Sequence, residues 1–327
     1  MQTRHRQRHS TTILAIAAVV GTLVLLVSTS LGSTTAAQAS ASGFPLAPRA
    51  EFVPAARVPV AVTSLIASAK QSVDVEMYEL GAPAIEQALL SAAGRHVKVL
   101  VVLDATERYS QQAAKGLAQG GVKVVLVHVT NGIDHIKALS IDGGRAALIG
   151  GVNWGPGSSG NWDGDVYIPH DPALNAMVVA DSTGAQSASG PLALHGPAIK
   201  AALISAIEGA KSSIDVAANY LTEWDVQDAL VAAVKRGVTV RVLLNGSAYG
   251  AARAAAYLKG RGVAVRYAQG WLHAKYIVAD GATLVIGSAN FSESGLDGRN
   301  HEADVMLTGN PAQAADRLFT TWWGESR

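Results

Sequence analysis

The 327-residue chain contains no cysteine, and charged and aromatic side chains are scarce in it. The absence of cysteine excludes disulfides, thiolate-ligated metal sites and a cysteine nucleophile. Charged residues make up 16% of the chain and leave a net charge of +1, so the overall field favours no polyanionic partner. Any attraction for a phosphate must therefore come from a few locally placed groups. The 49% hydrophobic content is that of a packed globular protein rather than a disordered one.

Long apolar runs are rare outside the N-terminus. Residues 1–9 carry Arg4, Arg6 and Arg8, residues 13–27 are largely apolar, and small residues follow. This order is typical of a secretory signal peptide, so residues 1–39 are predicted to direct the rest of the chain out of the cytoplasm. An uncleaved membrane anchor is the alternative, because apolar residues continue to Leu31. Residues 40–58, which are rich in proline and small side chains, are interpreted as a linker.

The remaining sequence contains an internal repeat of one unit. The segment SAKQSVDV at 68–75 matches GAKSSIDV at 209–216, and each follows an apolar helical pattern and leads into a short strand. Further helices and buried strands follow in the same βαβαβ order in both copies. Alternating strands and helices predict an α/β fold with mostly parallel sheets. We expect two halves, residues 59–188 and 189–327, packed about a pseudo-two-fold axis.

Each half carries the motif His-x-Lys-x-x-x-x-Asp after its last predicted parallel strand. The two copies consist of His135, Lys137 and Asp142, and of His273, Lys275 and Asp280. Residues i and i+2 of a strand project from one face, so each lysine points the same way as its histidine. Each aspartate precedes glycine at a predicted hairpin turn. We interpret the aspartates as scaffold residues rather than catalysts.

A second shared motif closes the strand that returns from each hairpin. Asn153 ends it in the first half and Asn290 in the second, and a carboxylate follows downstream, Asp163 or Glu302. Hairpin geometry brings both asparagines close to the His–Lys faces as neutral hydrogen-bond donors. Tyr78 and its counterpart in the second half end equivalent strands and border the predicted cleft.

This doubled pattern resembles that of the phospholipase D superfamily over roughly residues 60–327. The resemblance implies one active site at the interface of the halves, with no cofactor and no metal. It implies that His135 attacks phosphorus to form a phosphohistidine, while His273 serves as general acid and then as base. The groups that it assigns to the non-bridging phosphate oxygens are Lys137, Lys275, Asn153 and Asn290.

The resemblance also implies that Asp163 and Glu302 orient the two histidines. The second half follows the family pattern, with Ser288 two residues before its asparagine. The first half departs from it, because Gly151 replaces the serine and Asp163 replaces the usual glutamate. A loss of function in one half would therefore affect the first half sooner than the second.

The implied function is that of a secreted phosphodiesterase that hydrolyses phospholipid head groups or transfers them to an alcohol. A nuclease of the same superfamily is the alternative, although the near-neutral charge disfavours it because nucleic-acid binders usually show a basic stripe. A non-catalytic envelope-binding module is a third interpretation, disfavoured by the complete His, Lys and Asn set. Transient contact with a membrane surface fits a lipid substrate, and the oligomeric state is left open.

We expect the mature protein to begin near Ala39 or Ser40, because Ala37-Gln38-Ala39 forms an Ala-x-Ala cleavage site. N-terminal sequencing of secreted material measures that start directly. Recovery of a membrane-bound chain that keeps residues 13–31 would contradict cleavage and support the anchor.

Overall fold

The computed structural model describes residues 49–183 and 193–327. The predicted signal peptide, residues 1–39, and the predicted boundary between the halves at 188 and 189 lie outside the described residues. No helix within the two described ranges is long and apolar enough to cross a membrane.

The first half is built on a seven-stranded sheet with the strand order β1-β7-β6-β5-β2-β3-β4. Its strands are β1 (Glu51–Pro54), β2 (Ser72–Met77), β3 (Lys98–Asp104), β4 (Lys123–Val127), β5 (Lys137–Ile141), β6 (Ala146–Gly150) and β7 (Gly164–Ile168). Its helices are α1 (Val58–Ser68), α2 (Pro83–Gly94), α3 (Arg108–Gln119) and α4 (Pro172–Asp181), with 3₁₀ turns at Ala55–Arg57 and Ser158–Gly160.

The second half repeats this arrangement with the strand order β8-β14-β13-β12-β9-β10-β11. Its strands are β8 (Ala193–Leu194), β9 (Ser213–Ala218), β10 (Thr239–Leu244), β11 (Ala264–Tyr267), β12 (Lys275–Ala279), β13 (Thr283–Gly287) and β14 (Asp304–Thr308). Its helices are α5 (Pro197–Gly209), α6 (Trp224–Lys235), α7 (Ala251–Lys259), α8 (Glu293–Leu296) and α9 (Asn310–Glu325).

The α/β class and the two repeated halves are confirmed, and both sheets are mixed. The parallel pairing predicted from the βαβαβ order joins β2, β3 and β4, and likewise β9, β10 and β11. The other strands pair antiparallel, because the strand that carries each motif returns through a tight hairpin. Each motif strand thus lies at the centre of its sheet, between the parallel and the antiparallel part.

The interpretation of residues 40–58 as a linker is corrected for residues 51–58, the last of which begins α1. Glu51–Pro54 form the edge strand β1, which pairs antiparallel with β7. Phe52 and Val53 are buried there, so burial of their side chains outweighs the local proline signal. Pro54 is tolerated because it ends a strand at the edge of the sheet.

The core consists of three hydrophobic clusters, of which one joins the two halves. One lies under helices α1–α3 of the first half and one under α5–α7 of the second, and a central cluster contains residues of both halves. Ile136 and Ala138 of the first half and Ala274 and Tyr276 of the second belong to this central cluster. The residues that alternate with the motif histidines and lysines are therefore buried in a shared core, which fixes the two motifs relative to each other.

The motif aspartates lie at the far ends of β5 and β12 from the histidines. Asp142 accepts backbone hydrogen bonds from Lys70, Gln71 and Ser72 at 2.6–3.2 Å. Asp280 accepts the same set from residues 211–213 at 2.7–3.1 Å. Each aspartate thus anchors the repeated segment that leads into β2 or β9, which agrees with its interpretation as a scaffold residue.

We expect Asp142→Asn to lower the free energy of unfolding by about 2 kcal/mol at neutral pH, because a charged acceptor of several hydrogen bonds is lost. Burial raises the pKa of Asp142, but the hydrogen bonds from Gln71, Ser72 and Lys70 outweigh it and hold that pKa below its ordinary value. The stability from this carboxylate is present above its unfolded pKa and is lost as the pH falls through the folded value.

Urea unfolding of the wild type and the variant at several pH values measures this difference. Asparagine tolerates the positive φ of this position, so the substitution tests the charge rather than the backbone. The exposed Glu208→Gln serves as the control and should leave stability unchanged. Loss of turnover by folded Asp142→Asn protein, with unchanged stability, would contradict the scaffold role.

Candidate active site

The two motif segments are tied to each other's half through the backbone. The amide of His135 donates to the carbonyl of His301 at 2.9 Å, and the amides of His273 and Ala274 donate to the carbonyl of Trp162 at 3.1 Å. Trp162 itself stacks on Trp322, with ring centroids 5.5 Å apart. The histidines of the two halves therefore meet at one interface, as a shared site requires.

Each histidine is paired with a carboxylate from the opposite half. Nδ1 of His135 lies 3.0 and 3.1 Å from the carboxylate oxygens of Glu302. Nδ1 of His273 lies 2.8 Å from Oδ2 of Asp163. A carboxylate at Nδ1 favours the tautomer whose proton is on Nδ1, which leaves the lone pair of Nε2 free to attack phosphorus or to accept a proton. The resemblance implied that each of these carboxylates orients one of the two histidines. In the structure each histidine contacts the carboxylate of the opposite half.

The two carboxylates are held in different ways. Glu302 accepts hydrogen bonds from Oγ of Ser288 at 2.6 Å and from the side-chain amide of Asn300 at 3.1 Å. Asp163 accepts one from the backbone amide of the next residue at 2.8 Å. A Cβ atom added at Gly151 would lie 2.5 Å from Oδ1 of Asp163, so no serine fits there with the aspartate in place. The glycine and the shorter carboxylate of the first half therefore form a matched pair of departures that preserves the contact with histidine.

Two buried lysines supply the positive charge of the site. Lys137 and Lys275 are 2% and 1% exposed, and each Nζ donates to the carbonyl of the histidine in its own motif. Nζ of Lys275 also lies 2.9 and 3.1 Å from the ring nitrogens of His273. Burial lowers the pKa of Lys137 to about 7 and that of Lys275 to about 8, although Glu302 and Asp163 oppose it. An anion placed between the lysines would restore their full charge.

The same burial keeps both imidazoles neutral. Burial and the charge of Lys275 lower the pKa of His273 to about 4. Burial also lowers the pKa of His135, against the opposing charge of Glu302. Neutral imidazole is the nucleophilic form, and the general acid must gain its proton when an anionic substrate offsets the lysine charges. The arrangement can therefore carry out phosphoryl transfer with one histidine as the nucleophile and the other as the acid and base.

The two asparagines occupy the same edge of the fold without contacting the motif side chains. The amide nitrogen of Asn153 donates to Oε2 of Glu79 at 3.1 Å. Within residues 49–183 and 193–327, neither Asn153 nor Asn290 forms a hydrogen bond to a motif histidine or lysine. Each side-chain amide carries two N–H groups, so Asn153 keeps one for a phosphate oxygen. Their assignment to phosphate binding stays a prediction.

Glu79 is a neighbour of the site that the sequence interpretation missed. It follows Tyr78, whose ring centroid lies 5.1 Å from that of His135 and 5.1 Å from Nζ of Lys137. Burial and the nearby Glu107 raise the pKa of Glu79, and the charge of Lys137 opposes them. The available signal was its position just beyond the carboxyl end of β2, where α/β folds place their site residues.

Comparison with known proteins assigns the family. A family model described as cardiolipin synthase, PLD-like domain, matches residues 62–180 and 203–323, one match in each half. The chain belongs to this PLD-like family.

Two curated relatives resemble parts of the chain. It is 31% identical over 144 residues to the probable phospholipase D F09G2.8 of Caenorhabditis elegans, and 29% identical over 123 residues to human mitochondrial cardiolipin hydrolase. These matches cover 37% and 35% of the chain, and only 26% and 46% of the relatives. A phosphatidylserine synthase from Haemophilus influenzae shares the fold, with a TM-score of 0.69 at 11% identity over 85% of this PLD-like chain and 87% of the synthase.

We expect kcat/KM for a phosphodiester to fall as the pH rises through about 7 and then about 8, because Lys137 and then Lys275 lose their protons in the free protein. The fall in kcat should come at higher pH, since the bound anion holds both lysines in the charged form. Bis-p-nitrophenyl phosphate suits the measurement because its leaving group needs no protonation. The exposed Lys98→Ala variant is the control and should keep the wild-type profile. A profile that stays flat to strongly alkaline pH would contradict the role of the lysines.

Proposed function

We propose that this chain is a phosphodiesterase of phospholipase D type that cleaves the head group from phospholipids through a phosphohistidine. The observation that carries the proposal is the crossed pairing, in which His135 contacts Glu302 and His273 contacts Asp163 across one interface. Two neutral imidazoles whose Nδ1 atoms face carboxylates, flanked by two buried lysines, meet the needs of a two-step displacement at phosphorus.

In the first step Nε2 of His135 attacks phosphorus, and the bond from phosphorus to the head-group oxygen breaks. His273, protonated once the substrate's charge offsets Lys275, donates its proton to the departing oxygen. In the second step the now neutral His273 takes a proton from water, whose oxygen attacks phosphorus and breaks the bond to His135. An alcohol in place of water gives head-group exchange. Lys137 and Lys275 stabilise the charge on the non-bridging oxygens in both steps.

A phospholipid fits this site better than a nucleic acid does. The site offers two lysines for one phosphodiester, whereas a nucleic-acid strand needs several cations along its backbone. Glu79 beside Asn153 adds a negative charge next to the phosphate position, which disfavours neighbouring phosphates. The two curated relatives are named for phospholipid and cardiolipin cleavage. We also propose that the protein acts outside the cytoplasm, in keeping with its N-terminal pattern.

The proposal predicts release of head group from phosphatidylcholine or cardiolipin by the purified protein, at the same rate in EDTA. Plasmid DNA is assayed in parallel as the alternative substrate. Rapid cleavage of DNA without lipid turnover would replace the lipid proposal with the nuclease interpretation. Activity lost in EDTA and restored by a divalent ion would contradict the metal-independent mechanism.

Trapping the intermediate tests the assignment of roles. With bis-p-nitrophenyl phosphate, His273→Ala should accumulate phosphohistidine at His135, because attack proceeds but no base activates water. His135→Ala should accumulate none, because the nucleophile is absent. Phosphopeptide mapping after alkaline quenching shows which histidine carries the phosphoryl group, called the label here. Label on His273 in the His135→Ala protein would reverse the roles, and no label in either variant would contradict the covalent route.

A further inference from the structure

An apolar cavity of about 210 Å³ opens in the first half beside Asn153. Val58, Ile85, Val152 and Trp154 line it, and each of these side chains is at most 3% exposed. These residues come from the N-terminal turns of α1 and α2 and from the segment after β6. The cavity therefore lies at the same edge of the sheet as the motif histidines.

Three proline residues stiffen the walls of this cavity. Pro59, Pro83 and Pro156 line it, and their rings fix the backbone φ angle. The loop from 155 to 160 reads GPGSSG, so it offers no side chain larger than proline to fill the space. The cavity is thus preformed, and filling it requires no reordering of the protein.

In the second half a loop that is two residues longer packs at the equivalent place. Asn153 and Asp163 are ten residues apart, while Asn290 and Glu302 are twelve apart. The longer loop forms α8, whose Leu296 is fully buried in one cluster with Ile199, Val226 and Phe291.

Ion pairs hold this longer loop of the second half in place. Lys200 of α5 contacts Glu223 at 3.2 Å and also Asp297 in the longer loop. In the alignment that matches Lys70 with Lys211, the positions of Lys200 and Glu223 fall on Pro59 and Ala82. Both of these residues line the cavity of the first half. The first half therefore lacks both the longer loop and the residues that form these ion pairs.

We infer that this cavity binds an apolar acyl chain of the phospholipid substrate while the phosphate lies between the two histidines. Asn153 lies between the cavity and the predicted phosphate position, since it lines the cavity and its amide is the predicted donor to a phosphate oxygen. The inference rests on the proposed function and adds which half receives the lipid moiety. Each methylene group that enters the cavity should improve kcat/KM about fourfold.

The first test varies the chain length of the substrate. The wild type should show kcat/KM rising from dibutyryl to dihexanoyl to dioctanoyl phosphatidylcholine, all assayed as monomers. Ala82→Phe and Ser159→Leu each place a larger side chain in the cavity, and Ala82 makes no capping hydrogen bond that would be lost. Both variants should lose the dependence on chain length while retaining wild-type hydrolysis of bis-p-nitrophenyl phosphate.

Ala118→Phe is the matched control, because Ala118 is exposed on α3 of the same half. It should keep the wild-type dependence on chain length. An unchanged dependence in both cavity variants would overturn the inference.

The second test measures binding of the acyl chain rather than the rate of turnover. A phosphatidylcholine brominated at the ends of its acyl chains should quench the fluorescence of Trp154, one of six tryptophans in the chain. Trp154→Phe introduces the residue that the second half carries at the equivalent position, Phe291, so the fold should tolerate it. The quenching should disappear in this variant.

The two tests distinguish a failure of the cavity inference from a failure of the proposed function. Quenching that persists in Trp154→Phe, or no quenching in the wild type, would overturn the inference whatever the catalytic activity. Quenching through Trp154 without lipid hydrolysis would support the cavity and contradict the proposed function alone.

Discussion

The two crossed contacts between a histidine and a carboxylate are the constraint on which the rest of the site depends. His135 is oriented by Glu302 and His273 by Asp163, so neither half contains a complete site. Both carboxylates are buried, and burial would raise their pKa values if the histidines and lysines did not hold them low. The shared core of the two sheets therefore serves catalysis directly, since it holds each carboxylate against its partner.

The motif residues of this site could be picked out from the sequence because their signals are local. The spacing of His135 and Lys137 on a strand, and the repetition of that spacing at His273 and Lys275, is visible without any tertiary information. The turn role of Asp142 was predicted from the glycine that follows it. The α/β class followed from the alternation of strands and helices.

The features that the sequence did not predict depend on tertiary packing. Which carboxylate serves which histidine is decided only when the halves pack, and the same holds for the contact of Glu79 with Asn153. Residues 51–58 resembled a linker because Pro54 and the small residues beside it are visible locally, while the partner strand β7 lies more than a hundred residues away. The lowered pKa values of the lysines likewise arise from burial that no local pattern shows.

The differences between the halves are concerted rather than scattered. Gly151 accompanies the shorter Asp163, and the short loop at 155–160 accompanies Pro59 and Ala82 in place of ion-pairing residues. The first change preserves the histidine contact, while the second opens the cavity beside Asn153. The first half thus keeps its motif histidine, lysine and asparagine, while the residues around them differ from those of the second half. The two sides of the shared site are therefore not equivalent, as an asymmetric substrate requires.

The histidine ¹⁵N spectrum of Glu302→Gln, compared with that of the wild type at neutral pH, tests the crossed pairing most directly. An amide in place of the carboxylate favours the proton on Nδ1 of His135 less strongly, so the account predicts shifted ring-nitrogen signals for His135 and unchanged signals for His273. Asp163→Asn should give the reverse. A Glu302→Gln spectrum in which the signals of His273 shift and those of His135 do not would contradict the shared site.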